Sequence, residues 1–269
     1  MLITPPTSTE LLVSPLNRPQ TRPHREINHL EMSTVDRSPG VYETLFVRDH
    51  AVQALGAHLV RLRGSTAALY GLEPPGELQA WIRQRAAALG AGEHRLRVDV
   101  RPVENELGVT FQAGPPPPRP ELFRLRPLTL AGGHSAHKLI DRGPLTGSSS
   151  ASGGPVVLLV DAGPDATVLE AGWANLWLVD EDRLTTPPLD GRILPGVTRA
   201  RVIAQAERLG LSIAERPITL RQARAGQPML TSSLQLAAPA AFEDGAAPGR
   251  DAIATIGRIR HALLESDWE

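Results

Sequence analysis

Lys138 is the only lysine in a chain of 269 residues that holds 28 Lys and Arg together; every other basic residue is Arg. A sequence that writes Arg wherever positive charge is wanted, yet keeps one ammonium, points to amine chemistry at that position. A guanidinium stays protonated and does not take over nucleophilic or proton-moving work from a lysine amine. The lysine sits in HSAHKLIDR (134–142). Such an amine needs a lowered pKa, from partial burial or a cationic neighbour, and His137 and Arg142 are near enough in sequence to supply that field. The plain alternative is a leftover surface lysine beside Asp141.

Four more features carry chemistry. LPGVTR (194–199) places Pro-Gly before a helix whose first turn holds Val197 and Thr198. Unpaired backbone N–H groups, the positive helix end and a hydroxyl together make an anion cradle that fits a phosphate. Glu170 lies among Val, Leu, Ala and Trp, with Asn175 five residues on. A buried carboxylate is costly unless paired, and a pyridinium nitrogen would suit it. Arg61, in His58–Leu59–Val60–Arg61–Leu62, could reach a phosphate as a bidentate donor. Thr231–Ser232–Ser233 could donate hydrogen bonds to an anion at a strand end. Each of these, alone, also fits an ordinary role: a capped helix, an acid at a turn, a solvated arginine, a polar turn.

Around these residues, GVYETLFVR (40–48), RLRVDVRP (95–102) and LGVTFQ (107–112) alternate as strands. The last two should pair across Glu104–Asn105–Glu106. Two helices are expected, over about 53–69 with Leu55, Leu59, Leu62 and Leu69 on one face, and over about 75–89 with Leu78, Ile82 and Leu89. Gly71 and Gly90 stop them. GPPPPRP (114–120) breaks regular structure. FRLRPLTL (123–130), VVLLV (156–160), one or two strands in TVLEAGWANLWLVD (167–180), LTTPPL (184–189) and LSIAERPI (211–218) are expected to be extended, and MLTSSLQLA (229–237) to end a strand in a small hydroxyl cluster. Helices are expected from LPGVTR to Leu209 and over about 250–265. Residues 1–38 read as an irregular lead-in and TGSSSASGG (146–154) as a flexible loop. The expected divisions are 1–38, 39–122 and 123–269.

Composition narrows the class. Apolar residues are 41% and charged residues 21%, an ordinary globular balance. A net charge of −1 removes the usual case for a nucleic-acid binder. Without Cys there is no disulfide scaffold, thiol nucleophile or zinc–thiolate site, and no metal site is expected. No apolar run approaches the roughly 18 residues of a membrane span, and MLITPPTSTE lacks the basic and apolar regions of a signal peptide. A cytoplasmic protein is expected.

The order of the features is more specific than any one of them. GVYET, HLxRL, a lysine near the midpoint, LExxxxN, TPPLxxxxLPGVTR and TSSL in succession resemble the class IV aminotransferase family, pyridoxal-phosphate enzymes of fold type IV. The resemblance covers about residues 39–240 and is most specific over 168–199. It implies a two-domain fold of mixed α/β and α+β character, like that of D-amino-acid aminotransferase. An N-terminal α/β sandwich would join a C-terminal β-rich domain with helices, with pyridoxal 5'-phosphate in the cleft between them.

By the same resemblance Lys138 is the Schiff-base lysine and proton shuttle, and Glu170 pairs the pyridine nitrogen. Arg61, Val197 and Thr198 are phosphate ligands, and Ser233 closes the phosphate or substrate-carboxylate side. A small-molecule amine is the implied substrate and a homodimer the implied assembly. Ala-Gly-Trp-Ala between Glu170 and Asn175, with TSSLQLAAP, resembles the lyase branch, which converts 4-amino-4-deoxychorismate to 4-aminobenzoate and pyruvate in folate biosynthesis. The alternatives are an aminotransferase for branched-chain or D-amino acids and a non-catalytic homologue that keeps only the fold. Three features depart from the family. No opening strand is recognisable in residues 1–38. Arg37-Ser38-Pro39 stands where Tyr-Gly-Asp is usual. The stretch after Lys138 reads as Ser/Gly loop rather than Ala-rich helix.

Overall fold

The computed structural model describes residues 10–12, 40–142, 145, 154–163 and 165–269. The expected flexible loop 146–154 lies outside the described residues except for Gly154. So does the expected lead-in, except for Glu10–Leu12.

Strands β1 (Glu10–Leu12), β2 (Val41–Arg48), β3 (Ala51–Val52), β4 (Glu93–Val103) and β5 (Glu106–Gly114) form one antiparallel sheet in the order β1-β5-β4-β2-β3. The expected hairpin is present: Val103 pairs with Glu106 across Glu104–Asn105. Two helices, α1 (Leu55–Tyr70) and α2 (Leu78–Ala87), cover the sheet. Val41, Leu45 and Val47 of β2 meet Leu55, Leu59 and Leu62 of α1 and Leu78 and Ile82 of α2 in one core, as period-2 and period-3.6 patterns require. Gly71 ends α1 in the left-handed region, at φ 66°. Leu69, expected on the buried face, is 40% exposed, and Thr66 is buried in that turn instead. Two strands of this sheet have no counterpart among the expected elements. β3 is too short to show a period, and β1 pairs with β5 inside the stretch expected to be irregular.

The second sheet is built from β6 (Phe123–Thr129), β7 (Val156–Val160), β8 (Thr167–Ala171), β9 (Ala174–Asp180), β10 (Arg183–Thr186), β11 (Ser212–Glu215), β12 (Ile218–Thr219), β13 (Pro228–Ser232) and β14 (Leu236–Phe242). Its order is β11-β10-β9-β13-β14-β6-β7-β8-β12, and β8 also pairs with β9. That extra pairing closes β9, β13, β14, β6, β7 and β8 into a barrel with no free edge. LSIAERPI, expected as one strand, is two: Arg216–Pro217 breaks it, β11 lies beside β10, and β12 lies beside β8 at the opposite end of the order.

Helix α3 (Val197–Ala206) and a 3-10 turn to Leu209 end at Gly210 (φ 69°). The short α4 (Leu220–Ala225) was not anticipated, although Thr219 and Gln222 form a capping box at its start. The last helix, α5 (Arg250–Leu264), places Ile256, Ile259 and Leu263 against Trp177 and Val202. Among the described residues no helix is long and apolar enough to cross a membrane.

Candidate active site

The lysine segment is held as a partial strand along the first half of β2. The Tyr42 N–H donates to the Lys138 carbonyl at 2.9 Å, Ile140 N–H donates to Gly40 at 3.0 Å, and Val41 bridges Leu139. Gly40 permits this approach: its φ is +74°, and a Cβ there would lie 2.7 Å from the Val100 carbonyl and 2.9 Å from Ile140. Lys138 is half-buried, with Nζ 5.0 Å from the centre of the Tyr42 ring. Arg142 donates to the Tyr42 hydroxyl at 2.8 Å and to the Gly172 carbonyl. The lysine segment is thereby tied to the barrel as well as to β2.

The five-residue spacing of Glu170 and Asn175 is a cross-strand pair: β8 and β9 turn at Gly172–Trp173 and bring the two residues opposite each other. Both reach the backbone of one residue. Leu194 N–H donates to Glu170 at 3.2 Å, and the Asn175 amide donates to the Leu194 carbonyl at 3.0 Å. The hairpin thus fixes Leu194–Pro195–Gly196 and with it the start of α3. A Cβ on Gly196 would run into Asn175. No side chain caps α3, so its first N–H groups are left for another acceptor.

Arg61, on α1, is clamped by Glu43 of β2: Nε and Nη2 donate to the two carboxylate oxygens at 2.8 and 2.6 Å. Its Nη1 donates to the Pro195 carbonyl at 3.1 Å, joining α1 to the turn before α3. Glu43 also lies 2.7 Å from His58 Nδ1, and His58 Nε2 lies 3.3 Å from Ser233 Oγ. Thr231 accepts from the Trp177 indole at 2.9 Å.

Arg61, Lys138, Glu170, Val197, Thr198 and Ser233 all line one cleft. Its electrostatics are uneven. Burial pulls the Lys138 amine below its ordinary value; Arg61 and Arg142 add to that, against Tyr42 and Glu43. Burial pushes the Glu170 carboxyl up to about 7, because one backbone N–H and the Arg142, Lys138 and Arg61 charges only partly offset it. Burial also raises the Tyr42 phenol, but Lys138, Arg142 and Arg97 bring it below its ordinary value. A lowered amine, a buried acid that no cation contacts among the described residues and an open helix end can together hold a molecule with a basic ring and an anionic arm.

One expectation needs amendment. Of the neighbours proposed to act on Lys138, Arg142 does; His137 instead meets Ser65 Oγ at 3.1 Å. The sequence also did not single out Glu43 or Tyr42, whose only signal was a polar step in an apolar strand.

Residues 148–241 match the family model described as amino-transferase class IV. The cytosolic branched-chain-amino-acid aminotransferase of Mus musculus is 42% identical over 64 residues, 22% of this chain and 17% of that relative. The chain therefore matches under a fifth of that relative's length. Over most of its length it is similar to a hypothetical aminotransferase from Mycobacterium tuberculosis solved in a PLP-bound form. That similarity has a TM-score of 0.71 and 23% identity, covering 92% of this chain and 96% of that one. It is also similar to a Legionella pneumophila structure named "Putative 4-amino-4-deoxychorismate lyase", with a TM-score of 0.70 and 20% identity, covering 87% and 96%. The resemblance to class IV aminotransferases and the fold type IV architecture both hold.

Proposed function

We propose that this chain is a pyridoxal 5'-phosphate enzyme acting on a small primary amine, with Lys138 as its proton-moving group. The observation that carries this reading is a meeting in one cleft. The only lysine in the sequence, a buried carboxylate that no cation contacts among the described residues and a helix N-terminus that starts at a glycine all line it. When bound, pyridoxal phosphate supplies an electron-withdrawing ring that acidifies the carbon next to the substrate amine. Glu170 would hold the proton on the ring nitrogen. The Val197 and Thr198 N–H groups, the Thr198 hydroxyl and Arg61 would hold the phosphate. Lys138, its amine less basic than usual, takes and returns a proton at Nζ. Tyr42 and Arg142 position the segment that carries it.

Within that chemistry we propose elimination from 4-amino-4-deoxychorismate to give 4-aminobenzoate and pyruvate. Ala171-Gly172-Trp173-Ala174 and TSSLQLAAP support it, and the fold likeness to the Legionella structure accords with it. Lys138 would remove the ring proton as the enolpyruvyl group departs. The second reading, amino-group transfer from a branched-chain or D-amino acid, is favoured by the 42% identity with the mouse aminotransferase. A cytoplasmic homodimer completes the proposal, and light scattering on the purified chain tests the dimer.

The deciding experiment supplies the cofactor-loaded protein with 4-amino-4-deoxychorismate and quantifies both products. Equal 4-aminobenzoate and pyruvate, absent with Lys138→Ala, are expected. Amino-group transfer to a 2-oxo acid without either product would replace elimination by the second reading. A protein that takes up no pyridoxal phosphate would remove both.

A further inference from the structure

Glu43, His58 and Ser233 form a line of carboxylate, imidazole and hydroxyl. His58 Nδ1 is 2.7 Å from Glu43 Oε2, and His58 Nε2 is 3.3 Å from Ser233 Oγ. Glu43 and His58 are each 2% exposed, while Ser233 lines the cleft. The order is that of a serine nucleophile with its base and orienting acid. What the line can do depends on what else touches the acid.

Both Glu43 oxygens also accept from Arg61, at 2.8 and 2.6 Å. A carboxylate held this way is ionised and can only accept, so His58 Nδ1 carries a hydrogen. A second proton on the ring would build a buried imidazolium beside the Arg61 guanidinium and facing Lys138. The charged groups that face the ring are Glu43 from β2, Arg61 from its own helix and Lys138 from the segment along β2; burial and the two cations outweigh the acid. His58 is therefore neutral, with its lone pair on Nε2, and a poor base. The Ser233 hydroxyl must then be the donor of the 3.3 Å contact, and a hydroxyl has one hydrogen to give.

We propose that Glu43 and His58 are positioning residues that commit the Ser233 hydrogen to His58. Ser233 then meets the ligand of the cleft as a hydrogen-bond acceptor, receives an N–H or O–H, and holds no anion. This reassigns Ser233 from the phosphate or carboxylate side to the amine or hydroxyl side of the substrate. Only the word substrate rests on the function proposed above; the tautomer and the bond direction do not.

Two measurements on the full chain without cofactor test it. The first is long-range ¹⁵N–¹H correlation of the imidazoles between about pH 6 and about pH 8, with His58→Gln to assign the signal. It should show His58 protonated at Nδ1 and bare at Nε2. A ring protonated at Nε2 near neutral pH would overturn the proposal. The second is calorimetric titration with inorganic phosphate. Ser233→Ala should stay within about threefold of the wild-type affinity, while Thr198→Val weakens it about tenfold, the effect of one hydrogen bond to a charged group. A larger loss in Ser233→Ala overturns the proposal, as does labelling of Ser233 by a fluorophosphonate. A wild-type chain that binds no phosphate would count against the function proposed above, and the imidazole spectrum would then decide this inference alone.

Discussion

Glu43 and Glu170 are the same residue type, similarly buried at 2% and 7% exposure, and face opposite fates. Glu43 has a guanidinium on both oxygens and an imidazole on one, and these hold it well below the ordinary carboxylate range against the pull of burial. Glu170 accepts one backbone N–H, and burial pushes it up to about 7. The difference separates framework from function. Glu43 is complete, and its charge fixes the α1–β2 contact, the direction of Arg61 and the tautomer of His58. Among the described residues Glu170 has no contacting cation, in a cleft that also holds an amine and an open helix end, and that deficit is what a protonated ring nitrogen would fill.

The largest effect should come from breaking the complete side. Glu43→Gln leaves the Arg61 guanidinium buried without its counter-charge and should cost about 3–5 kcal/mol, read by chemical denaturation. Glu170→Gln should do the reverse to the unliganded protein. The folded pKa of Glu170 lies above its unfolded value. The stability it lends is thus complete below about pH 4.5 and lost as pH rises through about 7. The amide escapes that loss, so the variant should exceed the wild type by about 3 kcal/mol near pH 8 and converge with it in acid. The same variant should lose activity by orders of magnitude, because a neutral amide cannot hold the ring proton. Curves that run parallel across pH would show that Glu170 is not the strained acid. Gly196→Ala probes the link between hairpin and helix. A methyl driven against Asn175 should cost about 1–3 kcal/mol and weaken phosphate affinity while leaving the Glu43 cluster intact.

What could be read in the sequence follows from how far apart the partners are. Glu170–Asn175 and Leu194–Thr198 are local: a two-residue turn and a helix start convert those spacings directly into geometry. Lys138 stood out because composition removed every other side-chain amine. Glu43 did not, since its partner Arg61 arrives from the next helix and its core-facing step looks like one polar interruption between Val41 and Leu45. Barrel closure also needs β9 to pair with β13 and β14 with β6, and LSIAERPI ends at two edges; both depend on long-range pairing that no local period encodes. The helix α4 was within reach, because Thr219 and Gln222 carry a cap signature, but six residues are too few for periodicity.

Because Lys138 is the only lysine, one chemical trap tests the central claim with a single competitor, the α-amine. The protein is incubated with pyridoxal phosphate, reduced with borohydride and mapped by peptide mass spectrometry. One cofactor fixed on Lys138, and none in Lys138→Ala, is the expected result. A protein that carries no adduct, or carries it only on the α-amine, would contradict the assignment of Lys138 and the pyridoxal-phosphate chemistry built on it.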